Sequence, residues 1–175
     1  MALHKLCTMN ELKVRLTNSN KIVITGGERI MTKELNDYIL KGHFEQAKIK
    51  TKELSYSELD EELMDIAFQD SSIANYSFIM SLLVENETVQ LHEMAFRLMV
   101  NPLSYLDGAY YAALYHARRC IELTNRQEVG YLSNLLFLHM IPDQVVDEEE
   151  AYETAKEILM LDPDDKLAKD FLDRR

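Results

Sequence analysis

Cysteine and tryptophan are nearly missing from this chain of 175 residues, which has two cysteines, Cys7 and Cys120, and no tryptophan. Two cysteines are too few for a disulfide scaffold or for a zinc site built from cysteines. Long apolar runs are missing as well. The longest, over residues 73–84, is too short to cross a bilayer and is interrupted by one asparagine and two serines. The sequence thus predicts a cytoplasmic protein that does not interact with membranes.

Basic residues are also in short supply. The chain has 19 Lys and Arg residues against 30 Asp and Glu residues, which gives a formal net charge of −11 at pH 7. A surface of this charge repels the phosphate backbones of nucleic acids, so nucleic-acid binding is not expected. The same charge favours a basic protein partner.

The charge changes sign within the chain. Residues 1–30 hold five Lys or Arg and two Glu, a charge of +3, so the other 145 residues carry −14. This change indicates a basic N-terminal extension over residues 1–30 and a single domain over residues 31–175. Codons for Gly26-Gly27-Glu28 can spell the purine-rich ribosome-binding signal of bacteria, so one hypothesis makes Met31 the native start and residues 1–30 upstream read-through. The alternative is a genuine extension with residues 21–25 as a short strand.

The same segment contains a strand-like run, Ile22–Thr25, followed by Gly26-Gly27, as at the start of a dinucleotide-binding turn. The glycines that such a turn needs further on are absent, and no alternation of strands and helices follows. No nucleotide site is therefore expected.

Glycine and proline are scarce, with five and three residues, and after Met31 the apolar residues recur every three or four positions. This spacing is typical of α-helices. It predicts an all-α domain of eight or nine short antiparallel helices packed as hairpins, with β structure only in the first thirty residues. The run 73–84 is apolar nearly all round, which predicts a central helix buried on most sides.

Local signals divide this domain into helices. Side chains that accept a hydrogen bond from a helix N-terminus mark the starts, whereas glycine and proline mark the ends. The helix that follows Ser55 or Ser57 contains Phe68 as the last of its apolar residues. The predicted starts are Thr32, Ser55 or Ser57, Asp70-Ser71-Ser72, residues 85–88, Leu106 or Asp107, Gln127, Asp143 or Asp147, and Asp162-Pro163, and the predicted ends include Gly42, Asn101-Pro102 and Pro142.

A weak repeat links the last third of the chain to the segment before it. Ala117, Cys120 and Leu123 align with Ala155, Ile158 and Leu161 at an offset of 38 residues, and Asp162-Pro163 follows the second copy. A further glycine, aromatic and alanine spacing occurs in Gly42-His43-Phe44-Glu45-Gln46-Ala47. These patterns resemble tetratricopeptide (TPR) helical hairpins, although strict members repeat about every 34 residues. The resemblance implies paired helices with a concave, peptide-binding face.

From Met31 onward the chain is also similar to the small helical immunity proteins of bacterial polymorphic toxin systems. The residues that carry this likeness are the run Glu53-Leu54-Ser55-Tyr56-Ser57-Glu58-Leu59, Asp60-Glu61-Glu62-Leu63 and Ala155-Lys156-Glu157-Ile158. The likeness implies a cytosolic partner of a secreted toxin.

Motifs for reaction chemistry are incomplete. His92-Glu93 begins like a metalloprotease motif, but Phe96 occupies the position of the second histidine. His116 and Cys120 lie one helical turn apart, which would suit a nucleophile and its base or half a metal site, but such a pair is far more often part of a buried helix face. We therefore predict no catalytic residue, no metal and no cofactor.

Two surfaces are candidates for partner binding. Asp147, Glu148, Glu149 and Glu150, with Glu153 one turn on, form the densest acidic run, although carboxylates at a helix start are also favoured by the helix dipole. Tyrosine is common at binding hot spots, and a group of tyrosines surrounds residues 105–115. Tyr105 and Tyr110 are the candidates for partner binding, and Tyr110 is predicted to be exposed. Tyr111 and Tyr115 are predicted to face the core.

Together these observations predict a non-enzymatic protein-binding module. The leading hypothesis is a bacterial cytosolic immunity protein whose acidic surface, centred on residues 143–165, covers a basic groove of a toxin. The alternative is a TPR-like scaffold or regulator that binds a peptide in its concave face. A helical hydrolase that uses His116 and Cys120 is a third, disfavoured reading.

Overall fold

Helices occur where the apolar spacing of the sequence predicts them, and the all-α fold is confirmed. The computed structural model describes residues 13–16, 22–25 and 30–174. Within that part of the chain the helices are α1 (Ile30–Leu40), α2 (Phe44–Thr51), α3 (Tyr56–Asp70), α4 (Ile73–Glu85), α5 (Val89–Val100), α6 (Ala109–Leu123), α7 (Val129–Met140), α8 (Glu148–Leu161) and α9 (Lys166–Asp173).

Before the helices, two short strands form an antiparallel pair. Strand β1 (Lys13–Leu16) pairs with β2 (Ile22–Thr25), with Lys13 opposite Thr25 and Leu16 opposite Ile22. The strand expected at residues 21–25 is therefore present over four of those five residues. Gly26-Gly27-Glu28, on which the read-through hypothesis rests, lies outside the described residues.

Several helix ends follow the local signals. Gly42 has a φ of 70°, and its N–H donates to the Ile39 carbonyl (3.0 Å) while the N–H of His43 donates to the Tyr38 carbonyl (2.8 Å). These two bonds form a Schellman motif, in which a residue without a Cβ tolerates the left-handed backbone best. The open choice between Ser55 and Ser57 is settled in favour of Ser55, whose hydroxyl and backbone N–H both bond to Glu58 in a capping box.

Other predicted starts are wrong by a few residues. Thr32 lies inside α1, which begins at Ile30. Helix α6 begins at Ala109 after Gly108, whose φ of 79° ends the preceding turn, so neither Leu106 nor Asp107 starts it. Helix α9 begins only after Asp165, whose carboxylate accepts from the Ala168 N–H at 2.8 Å.

The central core lies between α5 and α6, which share the most extensive contact of any helix pair in the described chain. Ala95 on α5 and Ala113 and Ala117 on α6 are completely buried. Such small side chains let two helices approach closely. Each helix from α4 to α8 also packs on the next helix along the chain.

Helix α4 is central, as the apolar run predicts, because it packs on α1, α2, α3 and α5. Phe78 and Ile79 are fully buried, and the exposed residues Ile73 and Val84 lie near the two ends of the helix. Phe68, near the end of α3, is 62% exposed. An apolar side chain can be buried or exposed, and the way the other helices pack against its helix decides which.

Candidate functional site

The acidic run forms the start of α8. Asp147 is its N-cap residue, and its carboxylate accepts from the Glu150 N–H at 2.8 Å. Glu148, Glu149 and Glu150 occupy the first turn, where the partial positive charge of the helix end stabilises carboxylates. Asp147, Glu148, Glu149 and Glu153 are exposed, whereas Glu150 is half-buried. The segment from residue 141 onward contains twelve acidic and five basic residues, a net charge of −7.

Ion pairs attach this end of the fold to α6. The Arg118 guanidinium on α6 donates to both carboxylate oxygens of Glu150, at 3.1 and 2.8 Å. Arg126, just after α6, makes an equivalent pair with Glu157 on α8. Glu153 pairs with Lys156 at 2.8 Å on the same helix. Some of the acidic charge is thus neutralised locally, while Glu149 and Asp147 remain at the surface.

The tyrosine predictions need correction. Tyr111 is 68% and Tyr115 52% exposed, although both were expected to face the core. Tyr110, expected to be exposed, is half-buried and packs against the core. The reason lies in the small residues of α6: Ala113 and Ala117 define the buried face, so the large rings at 111 and 115 fall on the other side.

Tyr105 lies in the turn between α5 and α6 and is 63% exposed. Its hydroxyl donates to the Ser71 carbonyl at the junction of α3 and α4. Tyr105 and the acidic start of α8 therefore lie on different elements. The ion pair between Arg118 and Glu150 joins α6 to the start of α8.

A buried histidine pair joins α5 to α6. His92 and His116 are 2% and 0% exposed, and their Nδ1 atoms lie 2.8 Å apart. Nε2 of His92 lies 2.9 Å from Glu87 Oε1, and Nε2 of His116 lies 2.9 Å from the hydroxyl of Tyr76 on α4. Arg119 also donates to Glu87 Oε1, at 2.8 and 3.0 Å.

One proton arrangement satisfies all four ring nitrogens with both rings neutral. A carboxylate only accepts, so His92 Nε2 donates to Glu87 and His92 Nδ1 accepts from the Nδ1–H of His116. His116 Nε2 then accepts from the Tyr76 hydroxyl. Burial, with a smaller contribution from His92, lowers the pKa of His116 to about 3, which keeps this ring neutral.

His116 and Cys120 have different hydrogen-bond partners. The Cys120 thiol is directed to the Val89 carbonyl, 3.6 Å away, and burial raises the pKa of the Cys120 thiol to about 12. A thiol with this pKa is protonated at neutral pH and is a poor nucleophile. Glu93, the acid of the incomplete metalloprotease motif, accepts instead from the Tyr131 hydroxyl at 3.2 Å.

Sequence reasoning missed the histidine pair because its partners are far apart along the chain. His92 and His116 are separated by 24 positions and Tyr76 and His116 by 40. No local spacing connects them. Among the described residues, no group of three His, Cys, Asp or Glu side chains is placed to hold a metal ion.

An open groove lies between α2, α3, α4 and α5, with a volume of about 680 Å³. Leu59, Leu82 and Leu91 form part of its apolar lining, and Ile49 at its edge is 73% exposed. On one side of the groove the Lys48 ammonium pairs with Glu45 at 3.0 Å on α2 and with Glu85 at 2.5 Å on α4. The lining of the groove thus includes charged side chains of both signs.

No family model, curated protein or solved structure matches this chain. The likeness to TPR hairpins and to immunity proteins therefore stays a prediction. In the described part of the chain, no helix combines the length and the apolar character needed to cross a membrane.

Proposed function

We propose that the protein is a non-enzymatic protein-binding module and, more specifically, a bacterial cytosolic immunity protein that neutralises a basic toxin. The observation that carries this proposal is the exposed acidic start of α8, within a segment of net charge −7. Complementary charge accelerates the encounter of two proteins and excludes partners of the wrong sign. A basic toxin groove is the natural counterpart of this surface.

The ion pairs of α8 support this use of the surface. Helix α8 packs on α7 and α9, and the ion pairs of Glu150 with Arg118 and of Glu157 with Arg126 add links to α6 and to the turn just after it. The exposed carboxylates of Glu149 and Glu153 therefore project from a rigid element. Little conformational freedom is then lost when a partner binds.

The test is an affinity capture of the full chain's partners from the native organism, at low and high salt, read by mass spectrometry. A basic partner captured stoichiometrically and released by salt supports the proposal. Absence of a stoichiometric partner, or a partner unaffected by salt, contradicts it. Charge reversal of Glu149 and Glu153 to lysine should then weaken capture.

A matched control is available on α3. Glu61 and Asp65 are exposed and four residues apart, like Glu149 and Glu153. Reversing them to lysine changes the net charge by the same amount at another place. If both double variants weaken binding equally, the net charge of the protein rather than the α8 surface is responsible.

A second function, a TPR-like scaffold that binds a peptide in its concave face, is favoured by a repeated burial pattern. Positions 75, 113 and 151, at the 38-residue offset, are all completely buried on α4, α6 and α8. So are positions 79, 117 and 155. Capture of a peptide-bearing partner with little salt dependence would favour this reading over the immunity protein.

A further inference from the structure

Three large apolar or aromatic side chains are exposed on α4 and α6. Ile73 on α4 is 50% exposed, and Tyr111 and Tyr115 on α6 are 68% and 52% exposed. The two tyrosines are four residues apart and therefore lie on the same face of their helix. Single apolar residues are common on protein surfaces, whereas a group of neighbouring ones marks an interaction site.

Side-chain contacts place these residues in one patch across the two helices. The Tyr105 hydroxyl donates to the backbone carbonyl two residues before Ile73. The Tyr115 ring lies edge-on against His116, with 5.0 Å between the ring centroids. His116 in turn bonds to the Tyr76 hydroxyl on α4 at 2.9 Å. We call this patch the tyrosine surface, and its members are Ile73, Tyr105, Tyr111 and Tyr115.

The tyrosine surface is held in place by the fold and has polar groups available for a partner. Tyr115 is fixed from a second side, since its ring also packs edge-on against His92 at 6.0 Å. Among the described residues, the hydroxyls of Tyr111 and Tyr115 have no hydrogen-bond partner. Rings that are already ordered lose little conformational freedom when a protein binds them.

The 38-residue offset relates the tyrosine surface to the acidic start of α8. Tyr111 corresponds to Glu149, and Tyr115 corresponds in the same way to Glu153. Because the positions at this offset that face the core are buried on all three helices α4, α6 and α8, these residues lie on the equivalent outward side of α6 and α8. Both glutamates are exposed, as the two tyrosines are.

An ion pair joins the two regions. Arg118, three residues after Tyr115, donates to both carboxylate oxygens of Glu150 in the first turn of α8. Glu149, the neighbour of Glu150, is exposed. The aromatic and the acidic residues therefore lie on adjoining parts of one surface, which a single partner can cover.

Charge distinguishes the possible occupants of this surface. A second copy of the chain, or a nucleic acid, would bring a large negative charge against the acidic start of α8, because the chain itself has a net charge of −11. Both would be repelled. A basic protein brings the opposite charge and is attracted.

We infer that the tyrosine surface binds apolar side chains of the same basic protein that the acidic start of α8 attracts, an inference that rests on the proposed function. The partner is then a basic protein with an apolar patch beside its basic surface. Tyrosine is enriched among the residues that contribute most to binding energy. The acidic start of α8 sets the association rate, and the tyrosine surface sets the dissociation rate.

The first test is photo-crosslinking of the full chain in cells of the native organism. The variant Tyr111→p-benzoyl-phenylalanine should form a product with the basic protein that affinity capture retains at low salt and releases at high salt. The control position is Tyr56 at the start of α3, which is 41% exposed and should give no such product. A product with a second copy of this chain, or equal products at both positions, would overturn the inference.

The second test measures the binding kinetics of that partner. Tyr111→Ala should raise the dissociation rate about tenfold and leave the salt dependence of association unchanged. Tyr111→Phe keeps the ring and should change the rate less than about threefold, and Tyr56→Ala should have no effect. Urea unfolding of each variant checks that the fold is intact. An unchanged dissociation rate in Tyr111→Ala would contradict the inference.

The inference and the proposed function fail in different ways. If a basic, salt-released partner is captured and position 111 does not crosslink to it, the inference about the tyrosine surface alone is wrong. If neither experiment yields a basic partner, the proposed function and the inference are both wrong.

Discussion

The Nδ1 atoms of His92 and His116 lie 2.8 Å apart at the buried junction of α5 and α6. Each ring has a different second partner, Glu87 for His92 and Tyr76 for His116. The pair thus connects α4, α5 and α6 through one chain of hydrogen bonds. Burial disfavours the charged form of His116 within this chain.

Stability should therefore fall in acid. The pKa of His116 drops from 6.5 to about 3 on folding, so between these values the unfolded chain binds a proton that the folded chain does not. The contribution of His116 to the free energy of unfolding is fully present above pH 6.5. It is lost as the pH falls towards 3, by up to about 1.4 kcal/mol per pH unit. Urea unfolding from pH 7 to pH 4 measures the slope.

The matched variants are His116→Asn and His43→Gln. Asparagine at 116 cannot titrate, so the slope should become shallower although the stability at pH 7 also falls. His43→Gln replaces an exposed histidine and is the control against which the slope of His116→Asn is compared. An unchanged slope in His116→Asn would show that other groups govern the acid response.

The capping box of α3 gives a second prediction. Ser55→Ala removes the acceptor of the Glu58 N–H and should lower the free energy of unfolding by about 1 kcal/mol. Ser57→Ala, two residues on and exposed, should change it by less than about 0.5 kcal/mol. Chemical denaturation of both variants decides; equal effects would mean that Ser55 does not cap the helix.

The tyrosines of α6 provide a third prediction. Tyr110 packs against the core, so Tyr110→Ala should lower the free energy of unfolding by about 2 kcal/mol. Tyr111 is 68% exposed, and Tyr111→Ala should be nearly neutral. The reverse order of the two effects in denaturant unfolding would mean that α6 is rotated from its described orientation.

The thiol of Cys120 gives a fourth prediction. Its pKa is raised to about 12 and its side chain is buried. In a Cys7→Ser background, iodoacetamide at pH 8 should leave the folded chain unmodified and alkylate it fully in denaturant. Rapid alkylation of the folded chain, followed by mass spectrometry, would contradict an inert core thiol and revive a catalytic reading.

The sequence indicated the fold more fully than the surfaces. The cap at Ser55 and the turn at Gly42 involve only residues within five positions of each other. Local sequence signals are therefore enough to predict both features. The exposure of Tyr111 depends instead on which face of α6 meets α5. That choice is made by Ala113 and Ala117, whose small size offers little signal in a search for apolar residues.

The candidate sites also differ in whether local sequence or the packing of helices determines them. The acidic start of α8 was predicted because Asp147 and the three glutamates are adjacent in the chain. The tyrosine surface combines residues from positions 73 to 115, and the histidine pair combines Tyr76, His92 and His116. Such groups of residues come together only when the helices pack, so local sequence patterns do not predict them.

The most direct test of the central claim measures the captured partner's affinity for the unaltered chain and for the Glu149→Lys, Glu153→Lys variant across a salt series. The acidic surface of α8 predicts that affinity falls steeply with salt for the unaltered chain, and that the variant binds at least tenfold more weakly at low salt with a shallower dependence. Equal affinity and equal salt dependence for the two proteins would contradict the claim that this surface binds the partner.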